Sequence, residues 1–144
     1  MSETPPPIEL LVPHRGSARL VERVLAWRDD SLECVGRIPP KSPFVSDGSA
    51  PSFVGLELAA QAAAAHEALG RQRSGGAPDV AVGYLVGIKD ARFRVARLRV
   101  GADLRVTVRL VGGAPPLAIY SVRVELAGIE CVSATVSTYG AARR

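Results

Sequence analysis

Glu57 and Gln61 are the residues best placed to do chemistry, because they stand as isolated polar groups in PSFVGLELAAQAAAAH, residues 51–66. Four positions apart, they share one face if the stretch is helical. A carboxylate stripped of water costs several kcal/mol unless it is paired, so a Glu in apolar surroundings is either hydrogen-bonded as a structural group or kept for acid-base work. Three other side chains are candidates to act with it. His14 sits in a turn, Val12-Pro13-His14-Arg15-Gly16, that can fold toward the start of the stretch. Asp47 lies in the loop just before it. His66 follows Glu57 by nine positions, about half a turn out of phase, and is expected to face away as a packing or interface residue. The amides at Ser52 and Phe53 supply a further element, because the first amides of a helix are unpaired and its dipole favours negative charge.

The elements that must hold these groups follow from pattern. Residues 51–66 are apolar on nearly every side, which marks a buried helix, and the stretch falls short of the roughly 20 residues needed to cross a bilayer. Its run of Ala59, Ala60 and Ala62 to Ala65 favours helix and lets other layers approach closely. Ser49 or Ser52 is expected to cap it, with Pro51 in its first turn, and it is expected to fade at Gly70 into a basic, glycine-rich loop, Arg71 to Pro78. Before the helix, Leu20–Arg28 and Ser31–Ile38 read as strands joined at Asp29-Asp30. After it, Gly83–Val95, Leu104–Val111, Ala118–Ala127 and Ile129–Tyr139 read as four more. Leu104 to Leu110 alternates apolar with polar residues, as a sheet with one wet face requires. Two strands, one long helix and four strands specify an α+β domain with an antiparallel sheet packed on a single helix.

A chain of 144 residues, 47% of them hydrophobic, is expected to form one domain over 1–144. Residues 1–7, with three consecutive prolines, are expected to be disordered and have the character of neither a signal peptide nor a membrane anchor; the protein is expected in the cytoplasm, without membrane insertion. Cys34 and Cys131 have no metal-ligand spacing and read as reduced thiols, so no metal is expected. The net charge of +4 and pI near 9.6 come almost wholly from arginine, Lys41 and Lys89 being the lysines. That balance suits an acidic partner, but no zinc-finger spacing, basic helix or interleaved aromatics point to nucleic acid. Arg92, Arg94, Arg97 and Arg99 form the densest basic cluster, expected partly on one strand face, where it would be either a solvated edge or a dock for a phosphate or an acidic carrier.

Together the order of elements, Val12-Pro13-His14-Arg15, Gly87 to Arg94, the turn Val100 to Leu104, and Glu57 with Gln61 resemble the hotdog-fold 3-hydroxyacyl-(acyl carrier protein) dehydratases of fatty-acid synthesis and their relatives in aryl-polyene pathways. The resemblance runs from Val12 to Tyr139. It implies a hotdog fold, a long central helix wrapped by a curved antiparallel sheet. It implies a substrate carried on phosphopantetheine with no other cofactor, an acyl carrier protein as partner, and a dimer whose sites take a histidine from one subunit and a carboxylate from the other. Phe44, Ser52, Phe53 and Gln61 would border the substrate. The family's His-Phe-Pro-Gly segment is here Pro43-Phe44-Val45-Ser46, so Pro43 stands in the place of the histidine.

Dehydration needs a base for the proton beside the carbonyl, an acid for the departing hydroxyl and donors for the enolate charge. Glu57, kept protonated by apolar surroundings, would be the acid, and the amides at Ser52-Phe53 the donors. The base would be His14, Asp47 or a histidine from a related subunit in a heterodimer. A homodimer would then be weakly active or inactive. Two other functions are open: a non-catalytic acyl-thioester-binding or scaffold subunit, and a hotdog thioesterase in which Glu57 or Asp47 activates water.

Overall fold

The computed structural model describes residues 6–12, 15–75 and 82–141. In chain order it forms β1 (Val21–Arg28), β2 (Ser31–Gly36), β3 (Ser49–Pro51), α1 (Val54–Arg73), β4 (Val82–Phe93), β5 (Arg97–Arg99), β6 (Leu104–Gly112), β7 (Leu117–Leu126) and β8 (Ile129–Ala141). Short 3-10 turns at Ile8–Leu10 and Gly16–Ala18 precede β1. Six strands make one antiparallel sheet in the order β1-β2-β6-β7-β8-β4, which leaves β1 and β4 at its edges. The expected α+β wrap of a sheet around one helix is what the chain adopts. Of residues 1–7, expected to be disordered, 1–5 lie outside the described residues; the Pro7 carbonyl accepts from the Leu10 amide at 3.0 Å.

The alanines explain how closely the sheet can wrap. Ala59, Ala62, Ala63 and Ala65 are fully buried, and their small side chains bring the strands against the helix backbone. The approach is tightest at β2, where a Cβ on Gly36 would stand 2.3 Å from Leu58 Cδ1 and 2.9 Å from the Leu20 carbonyl oxygen. Inward residues of the sheet, among them Leu32, Cys34, Leu104, Val106, Val122, Val132 and Val136, complete a single core. Between Val54 and Arg71 the helix positions left half-buried are Glu57, Ala60, Ala64, Glu67, Gly70 and Arg71, essentially one stripe at three-and-four spacing. The sheet covers the rest of the helix.

Both ends of the helix differ from expectation. Pro51 is not in its first turn: Ser49–Pro51 pairs with Arg97–Arg99 as a separate two-stranded ladder, and the Ser52 amide donates to the Ala96 carbonyl at 3.0 Å. That pairing holds the chain extended through residue 51, so α1 begins at Val54, with Phe53 as its N-cap and no side-chain cap from either serine. At the other end Gly70 is inside the helix. A Cβ there would meet nothing, no positive φ is adopted, and the helix runs on to Arg73, where the Ser74 amide closes it on the Gly70 carbonyl. Arg71 to Arg73, expected in a loop, are thus helical, and residues 76–78 of that loop lie outside the described residues.

Candidate active site

Glu57 lies just inside the N-terminal turn of α1 and is half-buried. Its carboxylate borders a cavity of about 610 Å³ with apolar walls from Leu20, Phe44, Phe53, Leu56, Leu85 and Ile88. Ser42 and Pro43 complete the wall on the side of the loop before β3. The cavity therefore gathers four elements: the start of β1, the loop through residue 44, the start of α1 and the inner face of the edge strand β4. Phe44 and Phe53 meet edge to face, with ring centroids 5.6 Å apart, and about half of each side chain remains exposed at the rim.

Gln61 is placed behind Glu57 rather than on the cavity. It is fully buried, and its Oε1 accepts from the amides of Leu20 at 2.8 Å and Val21 at 3.2 Å. Its Nε2 donates to the Ala18 carbonyl at 2.7 Å and reaches Glu57 Oε1 at 3.5 Å. One side chain thus ties the segment entering β1 to the helix and steadies the carboxylate one turn back. The expected substrate contact from Gln61 becomes an orienting one.

The amides that start the helix are arranged to receive negative charge. The Gly55 and Leu56 amides are taken by the Ser52 and Phe53 carbonyls. Those of Phe53 and Val54, both on the cavity wall, have no acceptor among the described residues, which leaves two donors at the positive end of a 20-residue helix. The expected pair, Ser52 and Phe53, is shifted by one residue because the Ser52 amide is bound to Ala96. Ser52 is itself buried and does not line the cavity.

His14 lies outside the described residues. Asp47 is not drawn to Glu57. With φ of 51° it forms, with Gly48 at 75°, the two-residue turn that joins Ser46 to Ser49, an exposed hairpin tip of the Asp-Gly kind. His66 faces away from Glu57: its Nδ1 meets the Tyr120 hydroxyl at 2.8 Å, and its Nε2 donates to the Arg28 and Asp29 carbonyls at 3.1 and 3.0 Å. Burial, with the Glu67 carboxylate nearby, pushes the Tyr120 phenol well above its ordinary value. Burial also pushes the Cys34 thiol up to about 12, so Cys34 is a core residue rather than a nucleophile. Among the described residues no three His, Cys, Asp or Glu side chains converge as metal ligands.

A model of the ApeP-like family, described as ApeP dehydratase, matches residues 6–143. The chain belongs to this family. Among curated proteins none matches it. The ApeP-like chain superimposes on a chain of the dehydratase heterocomplex ApeI:P from Xenorhabdus doucetiae with a TM-score of 0.87 and 24% identity, over 96% of this chain and 93% of that one. Cj0977, a sigma28-regulated virulence protein from Campylobacter jejuni, gives a TM-score of 0.66 at 13% identity, over 94% and 86% of the two chains. A hypothetical thioesterase with coenzyme A from Streptococcus pneumoniae gives 0.59 at 12%, over 85% and 87%. These likenesses establish a shared fold, the expected hotdog, while the family match makes the chain dehydratase-like.

In the ApeP-like chain the arginine cluster is dispersed. β4 ends at Phe93, so Arg92 belongs to the large sheet and Arg97 and Arg99 to the small one, instead of lining one strand face. Arg94 pairs with Glu130 at 2.7 Å. Arg97 is exposed but engaged along the surface, its Nε donating to Ser49 Oγ at 2.6 Å and its Nη2 to Ser46 Oγ and the Ser49 carbonyl, each at 3.0 Å. It braces the hairpin whose preceding loop carries Phe44. Sequence reasoning missed Leu85 and Ile88, because simple alternation sets residues three apart on opposite faces, and only the irregular register between Leu85 and Gly87 turns both toward the cavity.

Proposed function

We propose that this chain supplies the carboxylate half of a 3-hydroxyacyl-thioester dehydratase, and that it dehydrates its substrate in assembly with a related hotdog subunit that carries the histidine. The observation that carries this reading is Glu57 on an open apolar cavity whose wall, at the place of the family's histidine, is Pro43. Proline offers no base. The protonated carboxyl of Glu57 gives its proton to the departing hydroxyl and becomes the carboxylate, the Phe53 and Val54 amides hold the enolate oxygen, and an imidazole from the partner takes the proton beside the carbonyl; water and the enoyl thioester leave.

The side of the cavity left for that partner is β4, an edge strand whose Leu85, Val86 and Ile88 are substantially exposed. The similar dehydratase from Xenorhabdus doucetiae is itself a heterocomplex, which supports a heterodimer over a homodimer. The substrate would arrive on the phosphopantetheine of an acyl carrier protein, with no further cofactor, in a cytoplasmic aryl-polyene type of synthesis. The exposed Arg92 and Arg99, rather than Arg94 or Arg97, are the arginines left to meet its acidic surface.

Co-expression with a histidine-bearing hotdog dehydratase tests the reading. The mixed assembly should convert 3-hydroxyacyl thioesters to enoyl thioesters, and Glu57→Ala in this chain should slow that by about a hundredfold or more. An unchanged rate removes Glu57 from the chemistry. Release of free acid instead of enoyl product would make the protein a thioesterase.

A further inference from the structure

A second cavity, of about 440 Å³, opens between the C-terminal half of α1 and the hairpin joining β6 to β7. Leu110, Pro115, Pro116, Leu117 and Ala118 form its apolar walls, with His66, Glu67 and Tyr120 at its floor. The floor is already satisfied internally. His66 is bonded to Tyr120 at 2.8 Å, and the Thr138 hydroxyl donates to Glu67 Oε1 at 3.0 Å. Polar groups paired in this way do not call for a charged ligand, and apart from Arg71 the remaining walls suit a hydrocarbon.

The sheet register fixes where this cavity lies relative to Glu57. Leu85, Thr138 and Ala118 stand in one row across β4, β8 and β7, and Ile88, Val136 and Tyr120 in the next. Leu85 and Ile88 line the Glu57 cavity, while Ala118 and Tyr120 line the second. A single strand, β8, therefore separates the two, and at Thr138 it is tied to the helix by Glu67. On the helix side the half-buried stripe between Glu57 and Glu67 carries only the methyl groups of Ala60 and Ala64. Its ten residues span roughly 15 Å, about the length of a twelve-carbon chain.

We propose that the second cavity receives the distal end of a long acyl chain whose thioester lies beside Glu57, and that the Glu67–Thr138 hydrogen bond is the gate between them. This rests on the acyl-thioester reading above. Chain length is then selected on the β7 side of β8, at Ala118 and Leu110.

The only tryptophan in the sequence, Trp27, stacks on His66 with ring centroids 6.1 Å apart, so its emission reports on the second cavity without any turnover. The probes are pantetheine thioesters of 12-bromododecanoic and 4-bromobutanoic acid, since bromine quenches indole at short range. Titrated into the purified chain, the long probe should quench Trp27 saturably, and the short one should bind, by calorimetry, without quenching. Ala118→Phe, which fills the cavity, should weaken the long probe by about tenfold and leave the short one unaffected. Leu110→Phe at the rim repeats the test if the first variant melts early. A long probe that binds without quenching, or with undiminished affinity in folded blocked variants, overturns the gate. If neither probe binds, the acyl-thioester reading itself fails.

Discussion

Gln61→Leu is the substitution that asks most directly what holds the site together. Leucine has nearly the same volume and suits a helix, so packing and propensity change little. It removes the partner of three backbone groups at once: the Leu20 and Val21 amides and the Ala18 carbonyl. With Gln61 and the two amide bonds buried, water cannot replace it at Leu20 and Val21 without moving the segment. A buried polar group left unpaired costs about 1–3 kcal/mol; with the longer Val21 bond at the low end and the part-buried Ala18 carbonyl open to water, the two amides sum to about 2–4 kcal/mol. That is a large fraction of the 5–15 kcal/mol that about any domain has. Urea unfolding followed by circular dichroism should show the midpoint falling by roughly 1–2 M at little-changed slope, and hydrogen exchange at Leu20 and Val21 should accelerate more than elsewhere. Gln61→Glu is the companion: it keeps the acceptor oxygen for the two amides, loses the donor to Ala18 and sets a second carboxylate against Glu57. If Gln61→Leu costs less than about 1 kcal/mol, or Gln61→Glu is as stable as the parent, Gln61 is not the tie described.

Two other predictions follow from packing and titration. Gly36→Ala drives a methyl into Leu58 and the Leu20 carbonyl and should cost about 1–3 kcal/mol, whereas Gly70→Ala, into open space, should be neutral or stabilise by up to about 1 kcal/mol; thermal melts of the two variants should move in opposite directions or differ clearly. Burial raises the Cys34 thiol from 9.0 to about 12 and the Tyr120 phenol above its usual 10.0. The unfolded chain therefore loses these protons first. Stability should be fully present below pH 9 and fall as pH rises, by about 1.4 kcal/mol per unit for Cys34 alone up to about pH 12, and Cys34→Ala should flatten that slope in denaturant titrations.

The helix and the six long strands were legible because each carries a strong repeating signal: alanine-rich and apolar over residues 54–69, alternating from Leu104 to Leu110. The ladder of Ser49–Pro51 with Arg97–Arg99 was not legible. Three-residue strands carry no period, and Pro51 before a helix has two readings that tertiary pairing alone separates. Arg97 looked like an unengaged surface cation for the same reason, since the serines that bind it lie about fifty positions away. Glu57 was found because a lone carboxylate among alanines is costly, and Gln61 because it stood one turn further on, but which of the two would touch the cavity depends on a segment, Ala18 to Val21, that has no mark in the helix sequence. Pro43 could be compared with a histidine by resemblance; that it borders the same cavity as Glu57 required the fold.

The outermost position of β4 bears on how a cell must make this protein. A newly released copy offers a run of free backbone donors and acceptors beside Leu85, Val86 and Ile88, a template on which other chains can stack irreversibly. If the heterodimer proposed above is the working state, synthesis out of step with the partner would favour precipitation over function, and balanced translation of the two products, or prompt chaperone capture, follows as a requirement.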